Sequence, residues 1–156
     1  MARRKRKIEN PIKCDSKFND FQLGKFINKV MLNGKKSLAE SLVYNALTIV
    51  ENESKQPALD VFKRAVKNVM PEVEVKSRRV GGATYQVPTE IRTDRQVALA
   101  MRWIIGSARG RSGMDMANCL AREFIEAFND QGSAIKKKDD MHRMANANRA
   151  FVNYSW

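Results

Sequence analysis

Residues Val73–Pro88 read V-E-V-K-S-R-R-V-G-G-A-T-Y-Q-V-P, and this stretch sets the architecture. Valines alternate with charged residues up to Gly81-Gly82, and a Thr-Tyr-Gln-Val run follows. A glycine pair between two such runs predicts a tight hairpin, since both turn residues can take positive φ. Val73, Val75 and Val87 give it an apolar base, whereas Lys76, Arg78 and Arg79 load it toward the tip. Two strands bury too little to stand alone. The base therefore packs on the rest of the chain, and residues 72–88 form a cationic finger aimed at something anionic.

Everything around this hairpin reads as helix. Asp20 N-caps a helix with Leu23, Phe26, Ile27, Val30 and Met31 on one stripe, stopped by Asn33-Gly34. Ser37-Leu-Ala-Glu40 reads as a capping box for a second helix burying Ala39, Leu42, Val43, Ala46, Ile49 and Val50. Pro57 opens a third, with Leu59, Phe62, Val66 and Val69 inward and Pro71 at its end. After the hairpin, Thr93-Asp-Arg-Gln96 is a second capping box, opening a helix to about Ala108 with Val97, Ala100, Met101, Ile104 and Ala108 buried. Gly106, Gly110 and Gly113 loosen the stretch before a fifth helix, about Asp115–Asn129, which buries Ala117, Leu120, Ala121, Phe124 and Phe128. Ser133 caps the last helix, with Met141, Met144, Ala145 and Asn148 on one side. The closing Phe151, Tyr154 and Trp156 either fold back or dock on a partner. The expectation is a mainly α, six-helix bundle-like domain over 1–156, with one protruding β-hairpin between helices 3 and 4.

Charge gives the functional class. The net charge is +12 at a pI near 10.0, and it is segregated. Residues 1–36 carry 11 Lys and Arg against 3 Asp and Glu, residues 72–111 carry 8 against 4, and residues 136–156 carry 5 against 2. The stretches between them are neutral or acidic. Such segregation points to a polyanion. Arg3, Arg4, Lys5, Arg6 and Lys7 form an unbroken basic run within a flexible arm, residues 1–17. Arg95, Arg102 and Arg109 recur every seven residues and line one helical ridge. Lys136, Lys137, Lys138 and Arg143 make the last helix basic, and Arg92 and Arg111 flank the ridge. Two readings stand for Tyr85: stacking on a base, or packing at the hairpin.

Catalytic chemistry finds no footing. The sole histidine, His142, sits on a basic helix, and neither Glu72/Glu74 nor Asp139/Asp140 forms a carboxylate dyad or metal cage. Gly34-Lys35-Lys36 lacks the rest of a phosphate loop. Cys14 and Cys119 lack metal spacing. The expectation is no catalytic residue, no metal and no cofactor. No apolar run approaches the ~20 residues of a membrane span, and there is no signal-peptide core.

With these residues laid out, the chain resembles bacterial-type small-subunit ribosomal protein seven, the universal S-seven family. The resemblance runs from Asp15-Ser-Lys17-Phe18 to Trp156. It is carried by Asn33-Gly34-Lys35-Lys36-Ser37, by Pro71 through Pro88, by Ala98-Leu-Ala-Met-Arg-Trp-Ile104 and by His142-Arg-Met-Ala145. The glycine-rich Ile105–Gly110 departs from the family's usual helix. The resemblance implies a structural protein that binds the 3′ major domain of small-subunit (16S-type) rRNA and nucleates assembly of the subunit head. It implies exit-site tRNA and the mRNA exit path nearby, and ribosomal proteins nine (head) and eleven (platform) as neighbours. It implies no membrane and no obligate homo-oligomer, on a cytoplasmic ribosome or that of an organelle. RNA contacts carried over by motif fall on Lys35, Lys36, Lys76, Arg78, Arg79, Arg95 and Arg102, with the basic arm from Arg3 and Arg4 onward. The rival readings are a DNA-binding module with an arginine-lined helix in the major groove, and a metal-dependent nuclease.

Overall fold

A computed structural model describes residues 14–154; the run Arg3–Lys7 and Trp156 lie outside the described residues. The elements are α1 (Phe21–Val30), α2 (Lys36–Ser54), α3 (Ala58–Val69), β1 (Val73–Val80), β2 (Ala83–Glu90), α4 (Thr93–Arg109), α5 (Met116–Phe128), α6 (Ser133–Ala147) and a closing 3-10 helix (Arg149–Tyr154). Among the described residues, six α-helices with one antiparallel hairpin between the third and fourth make a mainly α fold, as the sequence predicts. Near the start of the described chain, the Asp15 carboxylate accepts the Lys17 and Phe18 amides at 3.1 and 2.8 Å. It also accepts the Tyr44 hydroxyl of α2 at 2.5 Å. Residues 15–18 are thus anchored to the body.

Three phenylalanines hold the centre. Phe26 of α1, Phe62 of α3 and Phe124 of α5 are wholly buried, with ring centroids 5.4 to 5.5 Å apart and tilted or edge-on. Such geometry sets the positive edge of one ring against the negative face of another. Val43, Ala46, Leu47 and Val50 of α2 and Ala100, Met101, Ile104 and Ile105 of α4 complete the same core. The stripes read from sequence are thereby realised, with shifts at the margins. Leu47 is buried where Leu42 and Ile49 are only half so; Phe128 is half-buried, its ring 4.9 Å from the Arg64 guanidinium carbon. Helix α6 buries Ala134, Ile135 and Ala145, leaving Met144 about half exposed.

The helix starts correct the sequence reading. Asp20 caps α1 as expected, accepting Leu23 N–H at 2.9 Å. Helix α1 stops at Val30, and Asn33 and Gly34 then turn the chain at φ +52° and +74°. Helix α2 consequently begins at Lys36, which puts Ser37 inside the first turn, and no side chain caps it. Likewise α4 begins at Thr93 with Arg92 at the cap, so that capping box does not form either. Asp94 in the first turn still complements the helix dipole. Gly106 does not interrupt α4, which runs on to Arg109. Helix α6 is capped from another element: Gly132, not Ser133, is its cap residue, and the Glu123 carboxylate of α5 accepts Ala134 N–H at 2.9 Å. A side chain at Gly132 would need φ +95° and would meet Glu126 at 2.8 Å.

Candidate nucleic-acid interface

The hairpin pairs Val73 with Glu90 through Val80 with Ala83, so Arg78 lies opposite Tyr85 and Lys76 opposite Val87. Paired residues share a face of the ribbon and neighbours alternate. Lys76 and Arg78 therefore sit on one face with Tyr85, and Arg79 on the other. The finger offers cations in two directions. At its base Val87 is buried, but on β1 the buried residue is Glu74; Val73 and Val75, expected there, are half-buried. Both oxygens of Glu74 accept from the one Nε–H of Arg95, a bifurcated hydrogen bond at 2.8 and 3.1 Å, and Lys76 forms an ion pair with the same carboxylate at 3.0 Å.

Burial works to raise the Glu74 carboxyl, but hydrogen bonds from Lys76 and Arg95 overcome it and hold the group below its ordinary 4.5. A carboxylate depressed in the folded state contributes stability above its unfolded pKa and loses it as pH falls through the folded value. Amide-exchange protection at the hairpin base should therefore be flat from neutrality to about pH 5. It should decline at more acid pH before the Phe core opens, and Glu74→Gln should remove that early step.

Tyr85 is not presented to a base from both faces. Phe151 and Tyr154 of the 3-10 helix pack around it, with centroids at 5.2 and 5.4 Å. Phe151 and Tyr154 thus fold back, and they do so on the hairpin. His142 accepts the Glu72 amide at 3.1 Å, fastening α6 to the start of the ribbon.

The other predicted cations divide sharply. Arg111 turns inward: it donates to the fully buried Glu123 at 2.7 and 3.1 Å and also to Glu126. The Glu126 bond, helped by Glu123, raises its pKa against the opposing effect of burial. Lys138 donates to Asn68 O at 2.7 Å, closing the end of α3. Arg143 pairs with Asp140 at 2.8 Å on the surface of α6. Lys35, Lys36, Arg92 and Lys136 are exposed, Lys36 with a loose 3.6 Å pair to Glu40.

Arg102 and Arg109 belong to a cleft that sequence did not reveal. Helices α1 and α4 enclose two adjoining hollows of about 230 and 290 Å³ that share Lys29. Arg102 and Arg109 line one, Lys25 the other, with Asp94 as the carboxylate on the rim. Arg109 also donates to Val30 O at 3.1 Å, fixing α1 to α4. From α6, Lys137 comes up against Gly106 on the floor of the first hollow. Burial, then repulsion from Arg102 and Lys25, lowers the Lys29 pKa. Like charges crowded into a partly dehydrated cleft favour an anion. Lys25 and Lys29 had a signal in the sequence, being one helical turn apart on the polar side of α1. That α4 arginines face them is a tertiary fact.

Among the described residues no cluster of His, Cys, Asp and Glu could hold a metal, and no helix is long and apolar enough to cross a membrane. Cys14 is exposed and Cys119 buried. Residues 2–149 match the family model described as Ribosomal protein S7p/S5e. The chain is similar to small ribosomal subunit protein uS7 of Rhizorhabdus wittichii and of Sphingopyxis alaskensis, each 55% identical over the full length of both chains. It is 53% identical to the same protein of Chloroflexus aggregans over 99% of this chain and 98% of the other.

Proposed function

The chain belongs to the ribosomal protein S7p/S5e family, and from that membership we propose that it is a structural component of the small ribosomal subunit that clamps folded rRNA. Its target is the 3′ major domain of the 16S-type molecule, and its binding nucleates assembly of the subunit head. The finger reaches toward exit-site tRNA and the path of departing mRNA. Proteins nine and eleven are its neighbours in the subunit.

The observation that carries this reading is the α1–α4 cleft, where Lys25, Lys29, Arg102 and Arg109 converge. Burial and then repulsion from Arg102 and Lys25 lower the Lys29 pKa, and phosphates laid along the cleft counter that repulsion. The exposed Lys35, Lys36, Arg92, Lys136 and Lys137 extend the surface around it, and the finger adds Lys76, Arg78 and Arg79. The basic run Arg3–Lys7 serves as an arm to the same RNA. Each phosphate neutralised releases counterions, and the rigid Phe26–Phe62–Phe124 core fixes the angle between the RNA segments held. Recognition of paired RNA is then by shape and backbone, with base reading confined to unpaired nucleotides. Arg111 and Lys138 do not belong to the RNA-facing surface, because each is committed to the fold.

Chemical footprinting of full-length small-subunit rRNA with the purified chain tests this. Protections should cluster at one multi-helix junction of the 3′ major domain. Protections spread evenly over the molecule would refute a specific clamp.

A further inference from the structure

Beside the cationic cleft lies an apolar notch that the electrostatic reading does not use. Val30 at the end of α1 and Leu32 in the turn after it, with Leu38 and Leu42 of α2, wall a half-open hollow of about 240 Å³, and Asn33 and Lys35 line it too. Leu32 and Leu38 are 61% and 54% exposed, among the most exposed large apolar side chains of the described chain. The turn that presents them is held by Lys35 N–H to Leu32 O at 3.0 Å and Lys36 N–H to Gly34 O at 2.8 Å. The backbone that carries Leu32 is therefore set in place before any ligand arrives.

Three observations identify the occupant. The hollow is below the ~300–1,000 Å³ of ordinary ligand pockets, so it suits one flat ring better than a packed helix. Its lining includes Lys35, with Lys36 next along the chain, which favours a ligand whose apolar face is joined to negative charge. It also adjoins the cleft, since Val30 lines the notch while its carbonyl accepts Arg109 of the cleft. A strand whose phosphates follow Lys25, Lys29, Arg102 and Arg109 arrives at the mouth of the notch.

We propose that this notch receives one unpaired nucleobase of the bound RNA. The base lays its face on Leu38 and Leu42, Leu32 closes over it from the turn, and the Asn33 amide bonds its polar edge. Lys35 and Lys36 hold the flanking phosphates. The inference rests on the rRNA-clamp reading and adds to it a site where the protein reads a base.

The test uses the full chain and a transcript of the 3′ major domain of small-subunit rRNA. Leu32→Ser with Leu38→Ser should leave thermal melting unchanged, both side chains being exposed. Affinity should fall roughly ten- to a hundredfold, the range expected when two leucines lose the apolar area that the base covers. The slope of log affinity against log salt should not move, because an apolar contact releases no counterions. One unpaired nucleotide, protected from 2′-hydroxyl acylation by the parent chain, should regain reactivity. Leu32→Ser alone, outside any helix, should show the same nucleotide and guards against a folding artefact. Unchanged affinity with unchanged protections overturns the proposal. So does a variant that binds the transcript normally yet fails to enter subunits, which would give the notch to a protein partner. Absence of any protection by the parent chain would instead remove the rRNA reading itself, and this inference with it.

Discussion

Changing Lys25, Lys29 and Arg102 together to alanine is expected to lower affinity for the junction RNA on the order of a thousandfold while leaving the fold intact. The magnitude follows from about 1.5 kcal/mol for each charge-assisted hydrogen bond to phosphate that is removed. The slope of log affinity against log salt should flatten by roughly two to three units, near one per phosphate released. Stability should move the other way. Lys29 is held among Arg102 and Lys25, and relieving that repulsion should leave the melting temperature unchanged or raise it slightly. A variant that melts earlier and binds normally would assign these residues to the scaffold.

Arg111→Ala should give the opposite signature. The guanidinium is the cation facing the wholly buried Glu123, which also caps α6. Removing one partner of a buried pair leaves a charge in low dielectric and costs about 3–5 kcal/mol. For a chain of this size that lowers the melting temperature by roughly 10 °C. The RNA salt slope measured below the transition should not change. Arg111→Lys keeps the charge but cannot bridge Glu123 and Glu126 with a planar fork, so it should recover only part of the stability. An unchanged melting temperature together with a flatter slope would return Arg111 to the RNA surface.

These two cases mark what the sequence can carry. Arg102 and Arg111 look alike along the chain, both being arginines of the net-basic segment 72–111. What separates them is which residues of α1 and α5 come to face them, and local pattern holds no such information. Glu123 left a trace, because Leu120, Glu123, Phe124 and Ala127 fall on one helical stripe and all are buried. A carboxylate on that stripe signals a paired cation without naming it. The hairpin's two strands and its turn were legible, since alternation and a glycine pair are local properties, but its register was not. Nor was its burial: Glu74 occupies the position expected of a valine because Arg95 of α4, two elements further on, supplies the counter-charge. The capping boxes misled by two residues at Ser37 and by one at Thr93. Gly34 and the run through Ile91 set where each helix begins, and Ser37 and Thr93 then fall inside the first turn.

Binding of the purified chain to the rRNA junction and to duplex DNA of equal length, across a series of salt concentrations, is the most direct check on the clamp. A clamp predicts a steep linear fall of log affinity with log salt on the junction, and tighter binding there than to DNA at every salt. Equal affinity for the two, or a junction affinity indifferent to salt, would contradict it.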